Sequence, residues 1–140
     1  MSLQNPGAGP AGRRDAWSRY WAQGASHSCL GSYGDLYGDE GDPGAFMDRM
    51  LLESCASRGV QCDAVDIAPV RPPWLAGLDP ADRKRVRVQG GVDAEALPFA
   101  NGTFDLVVSQ YGIEYARLDR AVSEVLRVLA PGGGVAMVLH

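Results

Sequence analysis

Apolar positions in the last third of the chain, Val88 to His140, fall into short runs separated by one amphipathic stretch. Phe104 to Ser109 (FDLVVS) is nearly continuous in apolar character, the pattern of a parallel strand buried on both faces. From Arg117 to Leu129, the positions Leu118, Ala121, Val122, Val125, Leu126 and Leu129 recur at helical spacing and mark one face of a helix. Pro131 to Gly134 predicts its stop, because proline cannot continue a helix and glycine can turn out of it. Val135 to Leu139 is then a second apolar strand. A strand, helix, strand unit of this size closes as a right-handed parallel crossover. The predicted fold class is α/β.

Upstream the pattern is less regular. Met1 to Gly12 is rich in glycine, proline and alanine and predicts a flexible tail. Arg13 to Gln23 predicts a short helix with Trp17, Tyr20 and Trp21 on one face, either packed onto the domain or covering a ligand. Gly24 to Gly44 is a long glycine-rich loop carrying Tyr33, Asp35, Tyr37 and Asp39, so residues 13–44 form an aromatic helix and a cap loop. Residues 45–140 hold the α/β domain. Ala45 to Ser57 reads as a helix with Phe46, Met50 and Leu51 facing inward and Gly59 as its stop. Cys62 to Ile67 predicts a strand with Asp66 near its carboxyl end. Pro72 and Pro73 break the following stretch, leaving Trp74 and Leu75 against the sheet. Asp79 and Pro80 open a turn or helix as N-cap and first position, and Val86 to Gln89 is a further strand. In open parallel sheets ligands bind beyond the carboxyl ends of the strands. That directs attention to Asp66, Gly90 to Asp93, Ser109 to Gly112, and the region past Leu139, where the chain ends.

Composition narrows the function classes. At 140 residues, 46% hydrophobic and 21% charged, the chain is long and apolar enough for one domain with a real core. A net charge of −4 gives no electrostatic drive toward nucleic acid or an anionic membrane, and neither is expected as a partner. The basic cluster Arg83, Lys84, Arg85 and Arg87 reads as a solvated edge. No run spans a bilayer, and the N-terminus lacks a signal peptide's apolar core. Cys29, Cys55 and Cys62 are odd in number with no C-x-x-C spacing, as expected of reduced thiols in a cytoplasmic protein. His27 and Cys29 offer two metal ligands with no second cluster to complete a tetrahedral set, so no metal is expected.

Four segments stand in one order: Val65-Asp66-Ile67, Asp93-Ala94-Glu95-Ala96-Leu97-Pro98-Phe99, Phe104-Asp105-Leu106-Val107-Val108, and Leu129-Ala130-Pro131-Gly132-Gly133. Together they resemble the class I S-adenosylmethionine-dependent methyltransferases of the small-molecule type, often called methyltransferase type 11. The resemblance implies a Rossmann-like, mostly parallel sheet with flanking helices. It implies S-adenosylmethionine as cofactor, a small-molecule methyl acceptor as partner, and hence an enzyme. Carried onto this sequence, it makes Asp66, with Ile67 beside it, the acid that accepts from the cofactor ribose hydroxyls. Asp93 becomes the acid that accepts from the adenine amino group, with the Ala94 backbone amide beside it. Ser109, Gln110 and Tyr111 become candidates to line the methyl-transfer chamber. Methyl transfer itself asks little acid–base help, because a sulfonium is an activated donor; positioning and desolvation carry the catalysis.

The sequence also departs from the family. The glycine-rich loop that follows the family's first strand, with its G-x-G for the methionine part, has no counterpart between the Tyr37 region and Asp66. The sheet is therefore expected to be incomplete relative to the family's seven strands. The missing strand would lie between those at Cys62 and Phe104, and either direct pairing of these two or a poorly stable chain is expected, since a gap leaves two rows of backbone groups unpaired at about 1–3 kcal/mol for each buried group. Three readings stay open: a methyltransferase, a truncated or degenerate methyltransferase-like chain without catalysis, and an interaction module. Neither the methyl acceptor nor the oligomeric state is legible in the sequence.

Overall fold

The computed structural model describes residues 9–22, 59–69, 76–110 and 112–139, with the side chains of residues 20–22 left aside. The expectations for the loop 24–44, the helix 45–57, Trp74 and Leu75, Cys29 and Cys55, and Tyr111 lie outside the described residues, as do the Tyr20 and Trp21 side chains. The elements run α1 (Pro10–Ala22), β1 (Cys62–Asp66), α2 (Pro80–Arg85), β2 (Val86–Gly90), β3 (Phe104–Gln110), a 3₁₀ turn (Ile113–Tyr115), α3 (Leu118–Val128) and β4 (Leu129–Val138). The α/β class holds, with parallel strand pairs throughout.

The helix expected from Arg13 begins at Pro10, so residues 10–12 are not part of a tail. Proline's fixed φ suits the first turn, and its missing N–H is one that the turn would leave without a partner. The Arg13 N–H then bonds the Gly9 carbonyl at 3.1 Å. In α2 the Asp79 carboxylate caps as its sequence predicts, accepting from the Ala81 and Asp82 N–H groups at 2.7 and 2.9 Å. The Asp82 and Ala81 N–H bonds hold the Asp79 carboxyl below its ordinary pKa. The basic cluster lies mostly on this helix rather than on a strand, and it is paired as well as solvated. Arg83 reaches the Ala76 and Leu78 carbonyls, and Arg87 on β2 grips Asp63 on β1 with both contacts at 2.8 Å.

The structure corrects the sheet. Among the described residues there are two separate two-stranded parallel sheets, β1–β2 and β3–β4, and β1 does not pair with β3. Strand propensity marks where strands are, but pairing is decided by the connections between them. The 91–103 segment links β2 to β3 by packing against α3 and forms no crossover that lays β3 beside β1. Ala94 joins Val107, Ala116 and Met137 around a core of Ile113, Ala121 and Val125. Val128, 1% exposed, completes the buried face of α3.

The end of α3 also differs from expectation. The helix stops at Val128, and β4 starts at once with Leu129 paired to Phe104. The ladder then skips, because the next pair is Leu106 with Gly134. Ala130 to Gly133 therefore form a bulge within β4, opposite the single residue Asp105, instead of the helix stop itself. Gly132 takes a φ of +81°, which L-residues with side chains resist. A Cβ on Gly133 would lie 2.8–3.0 Å from Leu129, the Ala130 carbonyl and the Asp105 carbonyl. Two adjacent glycines thus serve two requirements, a left-handed turn and a close backbone approach.

Candidate functional site

The parallel pairs bring several carboxyl ends to one region. Asp66 and Gly90 are register partners at the ends of β1 and β2. Past them, the Val92 N–H bonds the Asp66 carbonyl at 2.9 Å and the Gly91 N–H bonds the Ala68 carbonyl at 3.1 Å, so the two outgoing loops stay side by side. The start of α3 joins through Glu95, whose Oε1 accepts the Arg117 N–H at 2.9 Å. Ala94, packed on the Ile113 cluster, ties the loop after β2 to the turn after β3.

The Asp66 side chain turns back on its own loop. Its Oδ1 accepts the Ala68 N–H at 2.7 Å. Burial pushes its carboxyl pKa up, and the Ala68 bond opposes that shift in part. Ile67 follows it, half-buried, and Ala68 is fully buried behind.

Asp93 is more heavily engaged. Its Oδ1 accepts the Glu95 N–H at 3.0 Å, and its Oδ2 accepts from Arg13 of α1 at 3.0 Å. The same guanidinium meets Glu95 at 2.6 Å. Arg13 and Glu95 side chains are 7% and 6% exposed and Asp93 15%, so the cluster is shielded from water. One cation between two carboxylates keeps the buried acids from repelling each other. Trp17, one helical turn further along α1, meets Tyr115 edge-on at 5.0 Å between ring centroids. α1 thus bridges the loop after β2 and the turn after β3.

Of the chamber candidates, Ser109 serves its own turn, with Oγ accepting the Ile113 N–H at 3.1 Å. The Gln110 amide oxygen is buried and makes no hydrogen bond among the described residues. Tyr111 lies outside them.

Sequence reasoning did not find Arg13, Glu95, Glu124 or Arg127. The last two clasp the 97–102 loop to α3. Arg127 binds Glu124 through Nε and Nη2 at 2.7 Å each, and reaches the Leu97 and Phe99 carbonyls at 3.0 and 2.7 Å. Glu124 returns an acceptor to the Leu97 N–H at 2.7 Å. The signal available in sequence was a Glu–Arg pair at i, i+3 on an amphipathic helix. Arg13 gave none, standing 80 residues from its partner Asp93.

Parallel strand pairs with flanking helices define an α/β protein with a Rossmann-like arrangement. Residues 48–137, more than half of the chain, match the family model described as a methyltransferase domain. The chain belongs to that family, whose members use S-adenosylmethionine. It is 43% identical over 77 residues to a malonyl-[acyl-carrier protein] O-methyltransferase of Methylococcus capsulatus, covering 54% of this chain and 27% of that one. It is 32% identical over 84 residues to norajmaline N-methyltransferase of Rauvolfia serpentina, covering 59% and 29%. Against demethylmenaquinone methyltransferase of Thermus thermophilus the identity is 36% over 98 residues, covering 65% and 41%. The chain thus spans well under half the length of these curated relatives. No solved structure matches it significantly. No helix among the described residues is long and apolar enough to cross a membrane.

Proposed function

We propose that this chain binds S-adenosylmethionine above the ends of β1, β2 and β3 and presents its methyl group to a small-molecule acceptor. The observation that supports this reading is that the loops after β1 and β2 run side by side past Asp66 and meet Ile113 and Arg117, beyond β3, through Ala94 and Glu95. The residues suit the adenosine half of the ligand. Asp66, acceptor-only when ionised and already desolvated, can take both ribose hydroxyls with little further loss of hydration. The Asp93 carboxylate, with Ala94 beside it, suits the adenine amino group.

The bound sulfonium supplies the activated methyl, and the chain's part is to orient, exclude water and receive the acceptor. The buried Gln110 amide oxygen is the group to accept a hydrogen bond from the acceptor's hydroxyl or amine, because an unpaired buried acceptor gains from any donor that reaches it. The relatives' names support small acceptors, among them an alkaloid and a quinone precursor.

Isothermal titration with S-adenosylmethionine and S-adenosylhomocysteine tests the reading. Binding in the micromolar range, abolished by Asp66→Ala, is expected; no heat at millimolar ligand rejects it. A second reading, a methyltransferase-like chain that holds ligand without transfer, draws on the missing pairing of β1 with β3. Free adenosine binding as tightly as S-adenosylmethionine would favour it, since no group would then be holding the methionine part.

A further inference from the structure

We infer that α1 is an autoinhibitory strap, in which Arg13 occupies the carboxylate that an adenine ring must reach. The inference rests on the assignment of Asp93 to adenine made above. Its own support is geometric. Asp93 has two oxygens, and in this state one accepts the Glu95 N–H while the other accepts from Arg13. The Arg13 guanidinium also spans to Glu95, and all three side chains are nearly inaccessible. Each oxygen keeps further acceptor capacity, but with the guanidinium against Oδ2 and the side chain only 15% exposed, an exocyclic amine reaches the carboxylate only if Arg13 moves aside.

The contacts that seat α1 lie where release would open the site. Arg13 is fixed to the loop after β2, Arg14 makes a long 3.5 Å contact to the Gly91 carbonyl, and Trp17 rests on Tyr115 after β3. The strap therefore meets the loop after β2 and the turn after β3, through the Arg13 ion pairs to Asp93 and Glu95 and the Trp17–Tyr115 ring contact among others. A ligand that binds only the open state is weakened by the fraction of molecules that are closed. Arg13 in turn makes the closed state tolerable, since its single positive charge sits between two buried acids and offsets their repulsion.

Titration of the whole chain with S-adenosylhomocysteine and with adenosine, comparing wild type, Arg13→Ala and Trp17→Ala, tests the strap. Both variants loosen α1, one by removing the charge that covers Asp93 and the other without touching the acids. Each is expected to bind both probes at least tenfold more tightly than wild type, with circular dichroism confirming that the fold is kept. Equal affinity in all three chains overturns the strap and leaves the cofactor reading standing. Weaker binding by both variants also overturns it, making α1 a support for the site. No binding by any of the three rejects the strap and the cofactor reading together.

Discussion

At Asp66, burial and a hydrogen bond act in opposite directions on one carboxyl. Burial is the larger effect and raises the pKa, while the Ala68 N–H bond lowers it. A carboxyl with a raised folded pKa holds its proton more tightly in the fold than in the unfolded chain. Its contribution to stability is therefore fully present below the unfolded value, about 4, and is lost as pH rises through the folded value. At neutral pH the charged group opposes folding, a strain that a ligand's hydroxyls would relieve. Asp66→Asn keeps an oxygen for the Ala68 N–H and removes the charge. The variant is expected to melt above wild type at neutral pH, with the difference closing as pH falls below about 4, and to lose binding of S-adenosylhomocysteine. A variant that melts lower at every pH would show instead that the charge itself holds the loop. The positions of Asp66 and Asp93, at and just past strand ends, were legible in the sequence because a strand end followed by a loop is a local pattern. Arg13 was not, since its role depends on α1 crossing the ends of strands far along the chain.

At the scale of elements, α3 and the loop before β3 act as one piece because of the Glu124–Arg127 clasp. The helix itself was legible, since its apolar positions follow the helical period and its observed range, Leu118–Val128, lies within the predicted one. The clasp was not. A Glu–Arg pair three apart on a helix is usually a surface ion pair of small consequence. Here the guanidinium's several donors bridge Glu124 to the Leu97 and Phe99 carbonyls and to Asn101 Oδ1. A lysine carries the charge but is a point donor on a flexible stem and cannot reproduce that fork. Arg127→Lys is therefore expected to lower the melting temperature by several degrees, close to the effect of Arg127→Ala. The Arg127 hydrogen bond holds Glu124 below its ordinary pKa, so the contribution is present at neutral pH and lost as pH falls through the folded value. The gap between wild type and Arg127→Lys should narrow in acid. A lysine variant that melts with wild type would reduce the clasp to a surface charge pair.

Across the whole molecule, the missing partnership between β1 and β3 divides the described residues into unequal halves. Four of the six buried apolar residues, Ile113, Ala121, Val125 and Val128, belong to the half built from β3, α3 and β4, and only Ala68 and Val86 to the half around β1 and β2. The individual strands were readable from their apolar runs, but their partners were not, because an apolar run marks a strand without saying what lies beside it. Parallel sheets in α/β proteins are usually covered on both faces. In β3–β4 one face meets α3, while Leu106, Val108 and Val138 share the opposite face at 54%, 36% and 48% exposure. Local stability follows buried apolar contact, so the two halves should open separately. In native-state hydrogen exchange, the amides of Val107, Val125 and Val128 are expected to exchange slowest. Those of Ala64 and Val88 should exchange at least tenfold faster and through a smaller opening, seen as weaker dependence on added denaturant. The 91–103 loop, tied to α3 by Arg127 and Glu124, should follow the slow half, although it leads out of β2. Equal protection and equal denaturant dependence across β1 and β3 would mean that both sheets unfold as one unit, with the β1–β2 half coupled to the β3 half through more than the Glu95–Arg117 bond and the Ala94 contact.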